Sequence, residues 1–188
     1  MQLDEKSISV IRIKTEVTSK HIRYGCVDVT RNWMNNAVPN SHKLKIAKAI
    51  ILNGKLYVVD GRNVKLEYSC HEEDIAELIE ETFGGVLYLL PKIQGKYKGV
   101  QTADYLFRGE KYDLKDIRKQ NADAVFNAIH GKRKQAEIFV ICFNEDEIDK
   151  SEILRQCEGI IQRPYVSFVK RLILVSKRKV IRIYERKK

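Results

Sequence analysis

The chain has 188 residues and a formal net charge of +10, from 35 Lys and Arg against 25 Asp and Glu. Its composition, 44% apolar and 32% charged, is that of a globular protein and excludes an intrinsically disordered chain. No apolar run approaches the ~20 residues of a bilayer span, and the first residues lack the basic-then-apolar layout of a signal peptide. We therefore expect neither a membrane protein nor a secretory precursor.

Residues 1–52 are predicted to form a β-rich N-terminal extension. Segments 8–13 and 24–29 alternate apolar and polar side chains as strands do, and the polar stretch 32–41 predicts a loop. Residues 50–59 predict a hairpin that closes on Asn53-Gly54, a dipeptide that tolerates two positive φ angles. The extension serves delivery or partner docking, or it adds a layer to the domain that follows; the residues leave both alternatives open.

Residues 53–188 are predicted to form an α+β domain with two main helices on a mixed or antiparallel sheet. Ser69 and Glu72 have the spacing of a capping box that begins one helix, and Gly84-Gly85 ends it. The second main helix covers 151–161, and a polar helical stretch covers 122–130. The predicted strands are 64–68, 86–90, 105–107, 111–117, 138–143, 172–175 and 180–184.

The basic residues are concentrated near the C-terminus. Residues 170–188 contain nine Lys and Arg and one acid, and so supply +8 of the net charge of +10. An anionic partner such as a nucleic acid fits this distribution, and a solvated strand face with a basic tail fits it as well. The candidate nucleic-acid-binding residues are Lys132, Arg133, Lys134, Lys177, Arg178, Lys179 and Arg182.

Two carboxylates and a lysine are candidates for catalysis. Alternation along a strand places Asp113 and Lys115 side by side, and Asp104 enters the neighbouring strand, so the two carboxylates can converge. Such a pair can hold Mg²⁺ through oxygen ligands, while a lysine stabilises charge on the phosphorane. Glu77 or Glu81 on the acidic helix face is a candidate to complete the metal shell. The spacing fits the PD-(D/E)xK pattern of restriction-type nucleases, and cross-strand charge pairing explains it equally well.

Several further motifs carry a family resemblance. They are Gly54-Lys-Leu-Tyr57, Asp60-Gly-Arg-Asn63, Gln101-Thr-Ala-Asp104-Tyr-Leu, Tyr112-Asp-Leu-Lys115, Gly131-Lys-Arg-Lys-Gln135-Ala136 and the closing basic hairpin. With these motifs the chain, from about residue 53 onward, resembles the C-terminal tRNA-nuclease toxin domain of contact-dependent growth-inhibition proteins of the CdiA type. Related toxin tails occur on phage minor head proteins. Ala103 stands where the family usually has proline, a change that removes stiffness but no chemistry.

The resemblance implies an RNA-cleaving toxin that acts on tRNA in the cytoplasm and has an immunity protein as its partner. An acidic immunity protein would match the basic face. Such toxins often adopt the barnase–EndoU–colicin–RelE fold, which needs no cofactor because the neighbouring 2′-OH is the nucleophile. In that version Lys115, His130 or Lys134 steadies the phosphate and a His or Asp is the base. In the metal version Asp104 and Asp113 are ligands.

Two other functions remain open at this stage. One is a DNA endonuclease of restriction type that requires Mg²⁺, and the other is a non-catalytic nucleic-acid-binding module. The four cysteines lie far apart, which indicates free thiols in a reducing compartment. No histidine pairs with another His or Cys at zinc-ligand spacing, so the sequence predicts no zinc site. His130 is the one histidine that we consider for catalysis, although a helix-end position also explains it.

Overall fold

The structure, a computed structural model, describes residues 25–39, 44–97 and 99–187. The strand predicted at 8–13 lies outside the described residues. No helix among the described residues combines the length and the apolar character that crossing a bilayer requires. The helices are α1 (Thr30–Asn35), α2 (Cys70–Phe83), α3 (Ala124–Ile129) and α4 (Lys150–Gln162).

The strands form one large sheet and two small ones. Those of the large sheet are β1 (Gly25–Asp28), β2 (Leu44–Ile46), β6 (Leu87–Leu89), β8 (Tyr105–Phe107), β9 (Glu110–Ile117), β10 (Ile138–Phe143), β11 (Arg171–Ser176) and β12 (Lys179–Lys187). The small sheets pair β3 (Ala49–Leu52) with β4 (Lys55–Val58) and β5 (Val64–Lys65) with β7 (Lys92–Ile93).

The large sheet is mixed, with the strand order β1-β12-β11-β10-β9-β8-β6-β2. Strands β9, β10 and β11 are parallel at its centre, and β2 is parallel to β6. The other pairs are antiparallel. The predicted α+β class with a mixed sheet is therefore confirmed.

Both faces of the sheet are buried, as the uniformly apolar strand β10 indicates. All six residues of β10 are buried. Ile138, Val140 and Cys142 belong to the cluster that contains the apolar side of α2. Phe139 and Ile141 belong to the opposite cluster, which contains residues of α3 and α4. The sheet is thus the middle layer of three.

Helix α2 begins and ends at the residues that the sequence predicts. The Ser69 hydroxyl accepts a hydrogen bond from the Glu72 amide (3.2 Å), and the Glu72 carboxylate accepts one from the Ser69 amide (2.6 Å). This capping box satisfies two amides that the first helical turn would leave unpaired. Gly84 ends the helix with a φ of 70°, which glycine adopts without a steric penalty.

The hairpin predicted at Asn53-Gly54 is confirmed, and a second hairpin joins the predicted strands 105–107 and 111–117. β3 and β4 are joined by Asn53 and Gly54, whose φ angles of 51° and 75° suit a two-residue turn between strands. β8 and β9 are joined by Arg108 and Gly109, with φ angles of 51° and 79°. Tyr105 and Tyr112 face each other across this second hairpin.

The predicted loop at 32–41 is wrong in its first part, because Thr30–Asn35 form helix α1. A tertiary contact explains the difference: Trp33 packs edge-on against Phe83 of α2, with ring centroids 5.0 Å apart. The guanidinium of Arg171 also contacts this ring and lies 4.6 Å from the centroid of Trp33. The strand predicted at 64–68 is likewise shorter, since only Val64 and Lys65 pair.

The region before residue 53 contributes to the large sheet. β1 pairs with β12 at one edge, and β2 pairs with β6 at the other. The predicted boundary between residues 52 and 53 falls at the turn between β3 and β4. The division into two domains stays a prediction, and the described part of the extension adds strands to the same sheet.

The packing of the core predicts that two isoleucines differ in their contribution to the free energy of unfolding. Ile141 of β10 is fully buried, whereas Ile51 of β3 is 68% exposed. We expect Ile141→Ala to lower the free energy of unfolding by about 2–5 kcal/mol, because the truncation leaves a cavity. Ile51→Ala should change it by less than about 0.5 kcal/mol. Urea unfolding of both variants measures this, and equal effects would contradict the three-layer core.

Candidate functional site

The candidate site lies where β8 separates from β9. Tyr105 and Tyr112 form the last register pair on this side of the hairpin, and beyond them the edge of β9 has no neighbouring strand. The Asp104 amide still donates to the Tyr112 carbonyl (3.0 Å). The next free amide of β9, that of Leu114, donates to Oδ2 of Asp104 (2.7 Å). The Asp104 carboxylate therefore supplies an acceptor for β9 at the point where the backbone pairing of β8 with β9 ends.

Asp113 and Lys115 lie side by side on β9, as alternation predicts. Asp113 is completely buried, and its register partner on β10, Phe139, is buried as well. Lys115 Nζ forms an ion pair with Oδ2 of Asp113, and the lysine side chain is 17% exposed. The structure thus brings together all three of the residues proposed for catalysis on strands β8 and β9; their roles stay predictions.

The two neighbouring carboxyl groups, those of Asp104 and Asp113, interact unfavourably when both are charged. Burial and, next in size, the negative charge of the adjacent Asp113 together raise the pKa of Asp104 to about 7, against the opposing effects of the Leu114 amide and Lys115. Both Asp113 oxygens are inaccessible to solvent, and Lys115 is their one ionic partner among the described residues. One lysine thus faces two carboxyl groups, an arrangement that costs stability and is typical of functional sites.

The three side chains line a pocket of about 330 Å³ between β9 and the start of α2. Glu72 is the α2 carboxylate that lines it, held by the capping box and by Lys92 Nζ (2.7 Å). Glu77 and Glu81, the helix carboxylates expected from the sequence, are exposed and do not line this pocket. Helix position explains the difference, because the α2 residues that line the pocket, His71 and Glu72, belong to the first turn of the helix.

His130 lies outside this pocket. It is the exposed residue that ends α3, its ring stacks on Phe126 with centroids 4.9 Å apart, and its Nδ1 lies 3.2 Å from the Phe126 carbonyl. These are the contacts of a helix-end residue. The structure therefore does not bring His130 to Asp104, Asp113 and Lys115.

The basic cluster after α3 lies next to the site. Arg133 and Lys134 line a neighbouring pocket of about 350 Å³, together with Lys111 and Lys170. Gln135 lines both this pocket and the one that contains Asp113. These cations, called the basic wall below, therefore lie next to the carboxylates, although Lys170 pairs with Glu137 in the same pocket. Such a position suits a ligand with a negatively charged backbone.

The cations of the β11–β12 hairpin are largely paired with acids. Lys177 Nζ lies 2.7 Å from Asp146, and Arg178 lies 3.2 Å from Asp74. Arg182 pairs with Asp28. Lys179 is exposed. The excess charge at this end of the chain is thus partly neutralised within the fold.

Two further arginines of the basic segment are structural. Arg171 is 15% exposed and bridges Glu110 (2.8 Å) and Glu185 (2.6 Å). Arg186 donates to the carbonyls of residues 160, 163, 166 and 169, at 2.8–3.3 Å. These carbonyls belong to the end of α4 and the segment after it. Neither arginine contributes to a binding surface in this arrangement.

Residues 101–181 match the family model of the contact-dependent growth inhibition CdiA C-terminal domain. This segment is therefore similar to the CdiA C-terminal domain. It spans less than half of the 188 residues, yet it contains the carboxylate pair, Lys115 and the basic cluster. The resemblance found from the sequence is confirmed, and the match indicates a contact-dependent inhibition toxin, a class that is generally nucleolytic. No curated protein and no solved structure is significantly similar to the chain.

Sequence reasoning missed four residues that line the pocket: Glu72, His71, Asp116 and Gln135. For two of these residues, a pattern in the sequence indicated a position near the site. Glu72 belongs to the recognised capping box, and Gln135 follows the basic cluster directly. His71 is carried by α2, so its approach to β9 depends on how the helix packs.

The raised pKa of Asp104 predicts a pH-dependent stability. The protonated carboxyl is favoured in the folded state, because the pKa rises from an ordinary 3.8 to about 7. Its stabilising contribution is therefore complete below about pH 4 and is lost as the pH rises through about 7. In EDTA, we expect Asp104→Asn to gain on the order of 2 kcal/mol relative to the wild type between pH 5 and pH 8.

Urea unfolding at both pH values measures this gain. Asp146→Asn is the matched control, since Asp146 is a largely exposed aspartate paired with Lys177. Its stability relative to the wild type should depend little on pH over the same range. If Asp104→Asn behaved like the control, the carboxyl would not be protonated in the folded state at neutral pH.

Proposed function

We propose that this chain is an RNA-cleaving toxin-type nuclease that acts on tRNA, with Asp104, Asp113 and Lys115 at its active site. The observation that carries the proposal is the buried carboxylate pair with one lysine, in a pocket that lies next to the basic wall. A fold retains such a costly group of charges where function requires it. The tRNA substrate rests on the family resemblance.

The carboxylate pair fits a hard divalent cation such as Mg²⁺. The Asp113 oxygens are buried with Lys115 as their one ionic partner among the described residues, and Asp104 adds a second carboxyl group beside them. Oxygen donors of this kind are the ligands that Mg²⁺ prefers. When bound, such an ion supplies a nucleophilic water and neutralises charge on the phosphate. Asp104 and Asp113 would hold it.

The chain's own groups act on the phosphate. Lys115, which is fixed beside Asp113 and partly open to the pocket, stabilises the negative charge that develops on the phosphorane. Arg133 and Lys134 bind the phosphates that flank the scissile bond. Burial of the Asp113 side chain and most of the Lys115 side chain strengthens their interactions, because few water molecules compete with them.

The position of His130 leaves the carboxyl groups as candidate bases of a metal-free version, so both versions depend on Asp104 and Asp113. A 2′-OH mechanism needs a base near the phosphate, and His130 lies outside the pocket. His71 does line the pocket, but its Nε2 is paired with Asp116 at 2.7 Å. The carboxylates are therefore the groups best placed for the chemistry.

A DNA endonuclease is the second candidate function. The same observation supports it, because chemistry at a carboxylate–lysine site requires no 2′-OH on the substrate. A non-catalytic binding module is less well supported. Binding needs the basic wall alone, and it gives no reason to keep two carboxyl groups buried together.

The proposed place of action is the cytoplasm, and the proposed partner is an acidic immunity protein. Lys111, Arg133, Lys134 and Lys170 line the pocket next to the carboxylates, so an acidic protein surface would cover both the basic wall and the carboxylate pocket. The immunity protein would inhibit the toxin by keeping the substrate out of the pocket.

Cleavage assays with point variants test the active site. We expect the wild type to degrade total tRNA with Mg²⁺ and not in EDTA. Lys115→Ala should lower the rate by about 10²–10³-fold, since it removes the stabilising charge. Asp113→Asn should lower it by at least about 10²-fold. His130→Ala is the control and should cleave at the wild-type rate.

The same assay includes plasmid DNA as a second substrate. Cleavage of DNA but not of tRNA would select the endonuclease. Cleavage of tRNA in EDTA that His130→Ala abolishes would overturn the metal version in favour of the 2′-OH mechanism. If neither nucleic acid is cleaved while both are bound, the chain is a binding module.

Binding measurements distinguish the two basic clusters. In an Asp113→Asn background, which prevents cleavage, we expect Lys134→Ala to weaken tRNA binding and to reduce the slope of log K against log salt by about 1. Lys177→Ala should change the slope less, because Asp146 already pairs with Lys177 at 2.7 Å. Equal slopes for the two variants would place the hairpin in the binding surface.

A further inference from the structure

A second group of donor side chains lies beside the carboxylate pocket, on the α2 side of the sheet. Asp116 near the end of β9 and Cys142 near the end of β10 are register partners on neighbouring parallel strands. His71, in the first turn of α2, packs over them, and its Nε2 lies 2.7 Å from Oδ1 of Asp116. One donor atom from each of the three lies within 4.8 Å of the other two.

The donors differ in kind from those of the carboxylate pair. An imidazole nitrogen, a carboxylate oxygen and a thiol sulfur form a mixed set that suits a borderline-soft transition metal. The thiolate disfavours Mg²⁺ and Ca²⁺, which take oxygen ligands. Separations below 4.8 Å allow three ligands about one ion at bond lengths of roughly 2.0–2.3 Å.

We propose that His71, Asp116 and Cys142 form a transition-metal site, suited to Zn²⁺, with three protein ligands and one open coordination position. Three protein ligands with an open fourth position are the pattern that Zn²⁺ adopts where it meets solvent or substrate. The ligand proposed for this site is the metal ion itself and not a nucleic acid.

The surroundings are suited to such an ion. The three residues line a groove of about 780 Å³ at the carboxyl ends of β9, β10 and β11, so solvent reaches the site. His71 is 47% exposed and Asp116 is 33% exposed, while Cys142 is 6% exposed and forms the floor. Coordination replaces the His71–Asp116 hydrogen bond and displaces the proton of the Cys142 thiol to solvent.

The site joins elements that also carry the carboxylate pocket. His71 and Asp116 line that pocket as well as the groove, and Glu72 of the pocket follows His71 directly. A bound ion would tie the first turn of α2 to the two central strands. We therefore expect metal binding to raise the melting temperature, because it stabilises the folded state alone.

Titration with Co²⁺, a spectroscopic substitute for Zn²⁺, tests the proposal on the whole chain after removal of metals and reduction of thiols. We expect one equivalent to give a thiolate-to-Co²⁺ charge-transfer band, and Zn²⁺ to displace it. Cys142→Ser should abolish the band. His71→Gln and Asp116→Asn should weaken Co²⁺ binding by at least about tenfold.

Cys70→Ser is the matched control, since Cys70 is an exposed cysteine next to His71 and receives the same substitution. It should keep the band, and so should Asp113→Asn. Absence of a sulfur band in the wild type would overturn the proposal, as would a band that Cys70→Ser abolishes. A Co²⁺ spectrum with oxygen ligands alone would assign the metal to the carboxylate pair and would also overturn it.

The readout is independent of the nuclease proposal, because it measures a sulfur–metal bond and not cleavage. His71→Gln changes a half-exposed side chain, so it serves as the ligand variant if Cys142→Ser does not fold. Unchanged Co²⁺ affinity in His71→Gln would overturn the assignment of that ligand and with it the three-residue site.

Discussion

The hydrogen bond from the Leu114 amide to the Asp104 carboxylate is the contact on which the candidate site depends. β8 ends as a pairing partner at Tyr105, which leaves the next amide of β9 without a strand beside it. A buried amide needs an acceptor, and a carboxylate supplies one. Completing the sheet edge in this way places Asp104 against Asp113. The architecture and the chemistry therefore share one interaction.

The packing around β9 explains how the fold tolerates two adjacent carboxyl groups. β9 lies between β8 and β10, and both faces of β10 are buried in apolar clusters. Because these neighbours are held by their own contacts, the two carboxyl groups cannot move apart without disrupting the sheet. Burial and the charge of Asp113 then raise the pKa of Asp104, which favours the protonated form of its carboxyl group. The arrangement that suits the proposed chemistry therefore lowers the stability of the fold at this point.

The distribution of charge shows why a net charge of +10 is a weak guide to a binding surface. Arg171 and Arg186 are partly buried and form ion pairs with carboxylates or hydrogen bonds with backbone carbonyls of the fold. Lys177 is paired with Asp146 at the surface. The shorter cluster at Arg133 and Lys134 adds less to the total but lines a pocket beside the carboxylates. Position relative to the site matters more than the number of cations.

Short-range rules in the sequence determined much of the fold: the capping box at Ser69, the Asn53-Gly54 turn, the apolar strand β10 and the shared face of Asp113 and Lys115. These features depend on neighbouring residues and on the strand and helix periods, so they can be read locally. Only the tertiary structure decided that His130 lies outside the pocket, that Trp33 anchors a helix, and that His71 meets Asp116 and Cys142. His71 and Asp116 are 45 residues apart, and their meeting follows from how α2 packs on the sheet. Such contacts arise from the sum of many weak packing interactions, which no local pattern records.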